Sequence, residues 1–119
     1  MNLKELENTI EKAFENKQNI SEKSDSKILG AVEKTIELTD KGNIRVAEKK
    51  NGKWLVNQWV KKAILLSFRI NKMVMSKGPY TTWYDKVPGK SVDWSLEDWK
   101  KAGYRHVPNG VVRKGSFIA

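Results

Sequence analysis

The chain has 119 residues, 23 Lys+Arg against 14 Asp+Glu, a formal net charge of +9 and no cysteine. That length allows one modest core, and the missing cysteine removes disulfide scaffolds, thiolate metal sites and cysteine nucleophiles together. With His106 as the only histidine, a metal centre would rest on carboxylates and a Ser-His-Asp triad would have a single possible base, so neither is expected.

The longest apolar run, Ala63 to Leu66, is far short of the ~18 to 20 residues of a membrane span, so no membrane partner is expected. Met1-Asn2-Leu3-Lys4-Glu5-Leu6 lacks the cationic-then-apolar order of a secretory signal, which gives a cytoplasmic expectation. Charge is unevenly placed: residues 1 to 40 carry 6 Lys and 9 Asp/Glu, and residues 41 to 119 carry 17 Lys/Arg and 5 Asp/Glu. Net −3 followed by net +12 points to a polyanionic or acidic partner for the second part.

In chain order, Leu3, Leu6, Ile10, Ala13 and Phe14 recur at three- and four-residue steps and predict a short amphipathic helix. After the polar stretch Asn16 to Ser26, Ser24 or Asp25 can cap a second helix carrying Ile28, Leu29, Val32, Ile36 and Leu38, stopped at Gly42. Ile44 to Lys50 and Lys53 to Trp59 flank Asn51-Gly52, the signature of a type I′ hairpin turn. From Trp59 to Ile70 eight of twelve residues are apolar, which predicts a central, mostly buried helix. The unfavourable first-turn position of Lys61 and Lys62 sends them toward solvent or an anion. The chain is then expected to run irregularly through Lys77-Gly78-Pro79, with Thr81 to Tyr84 extended. Ser95 with Asp98 and Gly103 bracket a two-turn helix. Val111 to Ala119 reads as an apolar ending with no polar tail, as though cut before its next element. Val112 and Ile118, six residues apart around Gly115, match the rung spacing of a parallel β-helix.

Phosphate-loop motifs are absent. Asp93, Glu97 and Asp98 fit helix capping better than acid-base chemistry. Arginine is used only at positions 45, 69, 105 and 113, against 19 lysines, so each arginine is informative, because a guanidinium grips a planar carboxylate with two donors. Arg69, within the apolar helix, is expected to find a structural ion pair. Arg105 lies where a loop can present it to a neighbouring site. The tryptophans at 54, 59, 83, 94 and 99, among many lysines, keep open a small basic RNA or single-stranded DNA binding module, although packing would place the same residues and no nucleic-acid motif is visible.

Ile44-Arg45-Val46-Ala47-Glu48-Lys49, Trp54, Gln58 to Asn71, Tyr84-Asp85-Lys86-Val87-Pro88, Gly103-Tyr104-Arg105 and Val112 to Ala119 together closely resemble the N-terminal region of the 2,3,4,5-tetrahydropyridine-2,6-dicarboxylate N-succinyltransferases. The first forty residues match mainly in helical pattern. The resemblance implies a mainly α domain with a β-hairpin (α+β) over residues 1–108, and over 109–119 the start of a left-handed parallel β-helix that is cut short. It implies succinyl transfer from succinyl-CoA to tetrahydrodipicolinate in the diaminopimelate route to lysine, by a homotrimer with active sites between neighbouring β-helices. Succinyl-CoA is then a co-substrate, no cofactor is bound, and nucleic acid is not a partner. The family's substrate-binding arginine corresponds to Arg105; Lys86 and Arg69 are lesser candidates from their chemistry alone. No catalytic residue is expected within this chain, which by itself is expected to be inactive.

Overall fold

A computed structural model describes all residues from Met1 to Ala119. Helix α1, Leu3–Glu15, starts at a capping box in which the Asn2 side chain accepts from the Glu5 amide and the Glu5 carboxylate accepts from the Asn2 amide. Its Leu6, Ile10 and Ala13 are buried, the stripe that a 3.6-residue period puts on one face. A single 3₁₀ turn, Lys17–Asn19, leads toward α2, Ser26–Asp40, whose N-cap is Asp25. Within α2 the Thr35 hydroxyl donates to the Ala31 carbonyl at 2.7 Å, so a buried polar group is satisfied inside its own helix. Gly42, at φ +74°, ends the run. A Cβ there would lie 2.7 Å from the Phe117 ring, so both the left-handed backbone and the close approach require glycine.

Strands β1, Ala47–Lys50, and β2, Lys53–Val56, pair antiparallel, with Asn51 at φ +49° and Gly52 at φ +77° between them. Pairing is shorter than the two seven-residue segments expected. Asn57 ends it: its amide donates to the Val46 carbonyl (2.8 Å) and its side chain to the Arg45 carbonyl (2.7 Å), and α3, Gln58–Ile70, begins at the next residue.

Helices α1, α2 and α3 pack on one another, around a core of Leu6, Ile10, Ala13, Ile20, Ala31, Val32, Ala63 and Leu66. The expectation of a mostly buried α3 needs correction. Val60, Ala63, Leu66 and Ser67 are buried, while Leu65 is 52% exposed, because two neighbouring helices cover only one side. Lys62, the fifth residue of α3, reaches the Glu11 carboxylate at 2.5 Å and lies over the Phe14 ring, the anion in question being on α1.

The extended segment expected over Thr81 to Tyr84 is strand β4, Thr82–Asp85, and it pairs antiparallel with a strand in the stretch expected to be irregular, β3, Val74–Lys77. The Gly78 amide closes its turn on the Thr81 carbonyl at 2.9 Å. Every residue of β2, β3 and β4 is exposed, so the hairpins are wings on a three-helix body. The dimensions of 41 × 40 × 21 Å and radius of gyration of 15.8 Å exceed the about 13.5 Å of a compact domain of this length.

The last helix, α4, Leu96–Ala102, has the expected Ser95–Asp98 capping box and ends at Gly103, φ +71°. The chain then returns to the helices. Arg113 bridges Gly89, the Lys114 amide donates to the Pro88 carbonyl (2.9 Å), and the Lys90 amide donates to the Val112 carbonyl (2.9 Å). Residues 111–119 form this bridge and a turn, not a continuous strand. The architecture is therefore four helices with two small antiparallel hairpins, an α+β domain.

Candidate functional site

Three cationic side chains were singled out by sequence, and the fold uses them differently. The Lys86 ammonium donates to the Phe68 carbonyl at 2.6 Å, one of the last carbonyls of α3, which lacks an intrahelical partner and sits at the negative end of the helix dipole. Four residues on, the Lys90 ammonium does the same for α2, donating to the Asp40 carbonyl at 2.7 Å and pairing with the Asp40 carboxylate at 2.9 Å. Lys86 is thus engaged in closing a helix end.

Arg69 is exposed on α3 and forms no ion pair, which corrects the expected structural salt bridge. The helix turns this position away from α1 and α2, where solvent satisfies the guanidinium.

Arg105 is exposed and has neither an ion pair nor a side-chain hydrogen bond. Its neighbours are held. The Tyr104 ring lies 5.7 Å from Trp99 and 6.1 Å from Trp94 by centroids, and Trp94 meets Trp99 edge-to-face at 4.8 Å, distances at which aromatic quadrupoles attract. His106 lies 6.0 Å from Trp99. The guanidinium therefore extends from a segment anchored on both sides, with all its donors free for a ligand. The three candidates are not gathered into one pocket.

A separate cleft of about 910 Å³ lies between α2, α3 and the segments 86–88 and 113–116. Its apolar floor includes Val32, Ile36, Ile64 and Phe68, and its rim includes Lys72, Lys86, Arg113 and Lys114. Most of those cations are engaged: Lys72 with Glu22 (3.7 Å), Lys86 with α3, and Arg113 with Asp85 (2.8 Å). The Asp85 carboxyl is held below the ordinary carboxylate value, first by the Lys86 amide it accepts from and then by Arg113. Arg113 was missed by sequence reasoning as a tie between the second hairpin and the returning chain, because its partner lies 28 residues away.

The tryptophans divide. Trp94 and Trp99 form the aromatic cluster and Trp59 packs against the helical core, whereas Trp54 and Trp83 are 71% and 49% exposed on the hairpins. No group of three or more His, Asp or Glu side chains is placed to hold a metal ion, and no helix is long and apolar enough to cross a membrane.

Residues 5–70 match the family model for the tetrahydrodipicolinate N-succinyltransferase N-terminal region. Over 98% of its length the chain is 56% identical to the 2,3,4,5-tetrahydropyridine-2,6-dicarboxylate N-succinyltransferase of Pelagibacter ubique. It is 48% identical to the proteins of that name from Rhizobium rhizogenes and Bartonella tribocorum, again over 98% of its length. The chain spans 42 to 43% of the length of these curated relatives. With a family model covering more than half of its residues and relatives this similar across nearly all of them, the chain belongs to the tetrahydrodipicolinate N-succinyltransferase family.

Proposed function

We propose that this chain is the N-terminal part of an enzyme that transfers a succinyl group from succinyl-CoA to tetrahydrodipicolinate, in the diaminopimelate route to lysine, and that Arg105 grips a carboxylate of the acceptor. The observation that carries this reading is the free Arg105 guanidinium on an anchored segment. An acceptor with two carboxylates matches an arginine whose donors have no partner within the chain, and each charge-assisted hydrogen bond contributes on the order of 1.5 to 3 kcal/mol.

In the proposed reaction water adds across the imine of the ring, which opens to the 2-amino-6-oxo form. The amine nitrogen then attacks the thioester carbon, the C–N bond forms, the C–S bond breaks, and CoA leaves as the thiol with the proton the amine loses. This direct transfer needs no enzyme nucleophile. Residues 1–108 form the helical domain in this proposal, and residues from 109 lead into a left-handed parallel β-helix that supplies the remaining acidic and CoA-binding groups. The working enzyme is a cytoplasmic homotrimer, and residues 1–119 alone do not turn over.

The test is a chimera in which this chain replaces the corresponding residues of the Pelagibacter ubique relative. Succinyl transfer by the chimera, with kcat/KM for the acceptor lowered roughly 10- to 100-fold by Arg105→Ala, supports the assignment; an unchanged value removes Arg105 from the site. The second reading, a small basic binder of RNA or single-stranded DNA, has Trp54 in its favour, exposed and paired across the hairpin with Lys49. Tight oligonucleotide binding by the 119-residue chain that weakens steeply with salt would support it instead.

A further inference from the structure

Residues 104 to 108 lie between two left-handed positions, Gly103 at φ +71° and Asn109 at φ +72°. Within this strap Tyr104 and His106 are partly buried and Arg105 is exposed. The rings on either side of Arg105 meet the same indole: Trp99 lies 5.7 Å from Tyr104 and 6.0 Å from His106. Trp94 closes the cluster from behind, 4.8 Å from Trp99. Gly110 packs against His106: a Cβ there would stand 2.8 Å from its ring and 2.9 Å from the Val107 carbonyl oxygen.

These contacts are made by packing alone. The Tyr104 hydroxyl and His106 Nε2 are buried atoms with no hydrogen-bond partner, an arrangement that costs free energy and that a residue chosen only for stability would avoid. What the two rings provide is a fixed direction for the residue between them. A strap pinned at one end only would let the long Arg105 side chain sweep a wide arc, whereas two pins on one rigid indole confine its backbone.

We propose that Trp94, Trp99, Tyr104 and His106 form a positioning unit for Arg105, with Trp99 as its central member. The proposal rests on the reading of Arg105 as the acceptor-binding residue. Trp99 makes no contact with substrate in this scheme and acts through the strap. It serves binding of the acceptor and not that of the thioester, so its loss is felt in one KM.

The experiment is a double-mutant cycle in the chimera described above, read as KM for each substrate. Trp99→Ala is expected to raise KM for the acceptor about 5- to 10-fold while leaving kcat and KM for succinyl-CoA within two-fold, and Trp99→Phe, which keeps a ring, to restore most of it. In an Arg105→Ala background Trp99→Ala is expected to add nothing, because a positioning residue has nothing left to position. Gly110→Ala, whose Cβ would meet both the His106 ring and the Val107 carbonyl oxygen and so displaces the strap without touching an indole, is expected to act in the same direction and covers the case in which Trp99→Ala fails to fold. Equal rises in both KM values, full additivity in the cycle, or no effect of Gly110→Ala in a folded protein would overturn the proposal. Should Arg105→Ala itself change nothing, the reading beneath falls as well, so the two failures are told apart by that single variant.

Discussion

The carboxylate of Asp40 accepts a hydrogen bond from the amide of Gly115 at 2.8 Å, 75 residues further along the chain. The Lys90 ammonium, its side chain only 8% exposed, pairs with the same carboxylate. Asp40 thus ties the end of α2 to two returning segments, those carrying Lys90 and Gly115. Replacing it with Ala leaves a buried ammonium without its counter-ion, a change that costs several kcal/mol in well-buried pairs and about 2 to 3 kcal/mol here, where Asp40 retains some solvent. Asp40→Ala is therefore expected to lower the urea midpoint clearly and to speed hydrogen exchange at Gly115 more than at Leu66. Equal acceleration at both amides would mean that the tie is not local.

Several carboxylates at the surface are held below their ordinary values by the groups that donate to them. Glu37 is lowered from 4.5 to about 2, first by the hydrogen bond from Lys41 and then by that from Lys34. Asp98 is lowered by the Ser95 amide and hydroxyl of its capping box, and Glu48 by the Asn57 side chain and then Lys50. A carboxyl whose folded value is depressed adds stability that is fully present above its unfolded value and is lost as pH falls through the folded one. Unfolding free energy is expected to be flat near neutrality and to decline from about pH 5 down to about pH 2, more weakly at high salt because these groups remain in contact with solvent. Glu37→Gln should make the decline shallower; an unaltered slope would exclude Glu37 as a contributor.

Tyr104→Phe removes a buried hydroxyl that has no partner and keeps the ring. The expected result is unchanged or higher stability, by up to about 1 kcal/mol, with acceptor binding in the chimera unaltered. A loss of stability in denaturant melts would show that the hydroxyl has an unrecognised partner.

Local chemistry made much of the fold legible. Asn51-Gly52 could hardly be other than a tight turn, and Ser95, Asp98 and Gly103 marked both ends of α4 because caps are properties of a few adjacent residues. Of the β3–β4 hairpin only the second strand was legible, as an extended Thr81 to Tyr84, and the pairing was not. Its turn is a four-residue loop containing Pro79, which reads as a breaker, and its strands expose both faces, so no burial pattern marks them. Apolar count overstated the burial of α3, since count reports composition while burial depends on how many neighbours the helix has. At the candidate site, Arg105 was singled out through the motif it shares with the family, but the roles of Lys86 and Lys90 at the ends of α3 and α2 depend on contacts 18 and 50 residues apart. Those separations are fixed only by the packing of the whole domain.

The central claim is that Arg105 recognises a carboxylate of the acceptor, and its most direct test is selectivity. In the chimera, kcat/KM is compared for the dicarboxylate acceptor and for an analogue lacking one carboxylate, with and without Arg105→Ala. Intact Arg105 is expected to favour the dicarboxylate by roughly 10- to 100-fold, a difference of about 1.4 to 2.7 kcal/mol, and Arg105→Ala to collapse that preference toward unity. A preference of the same size in both proteins would contradict the assignment.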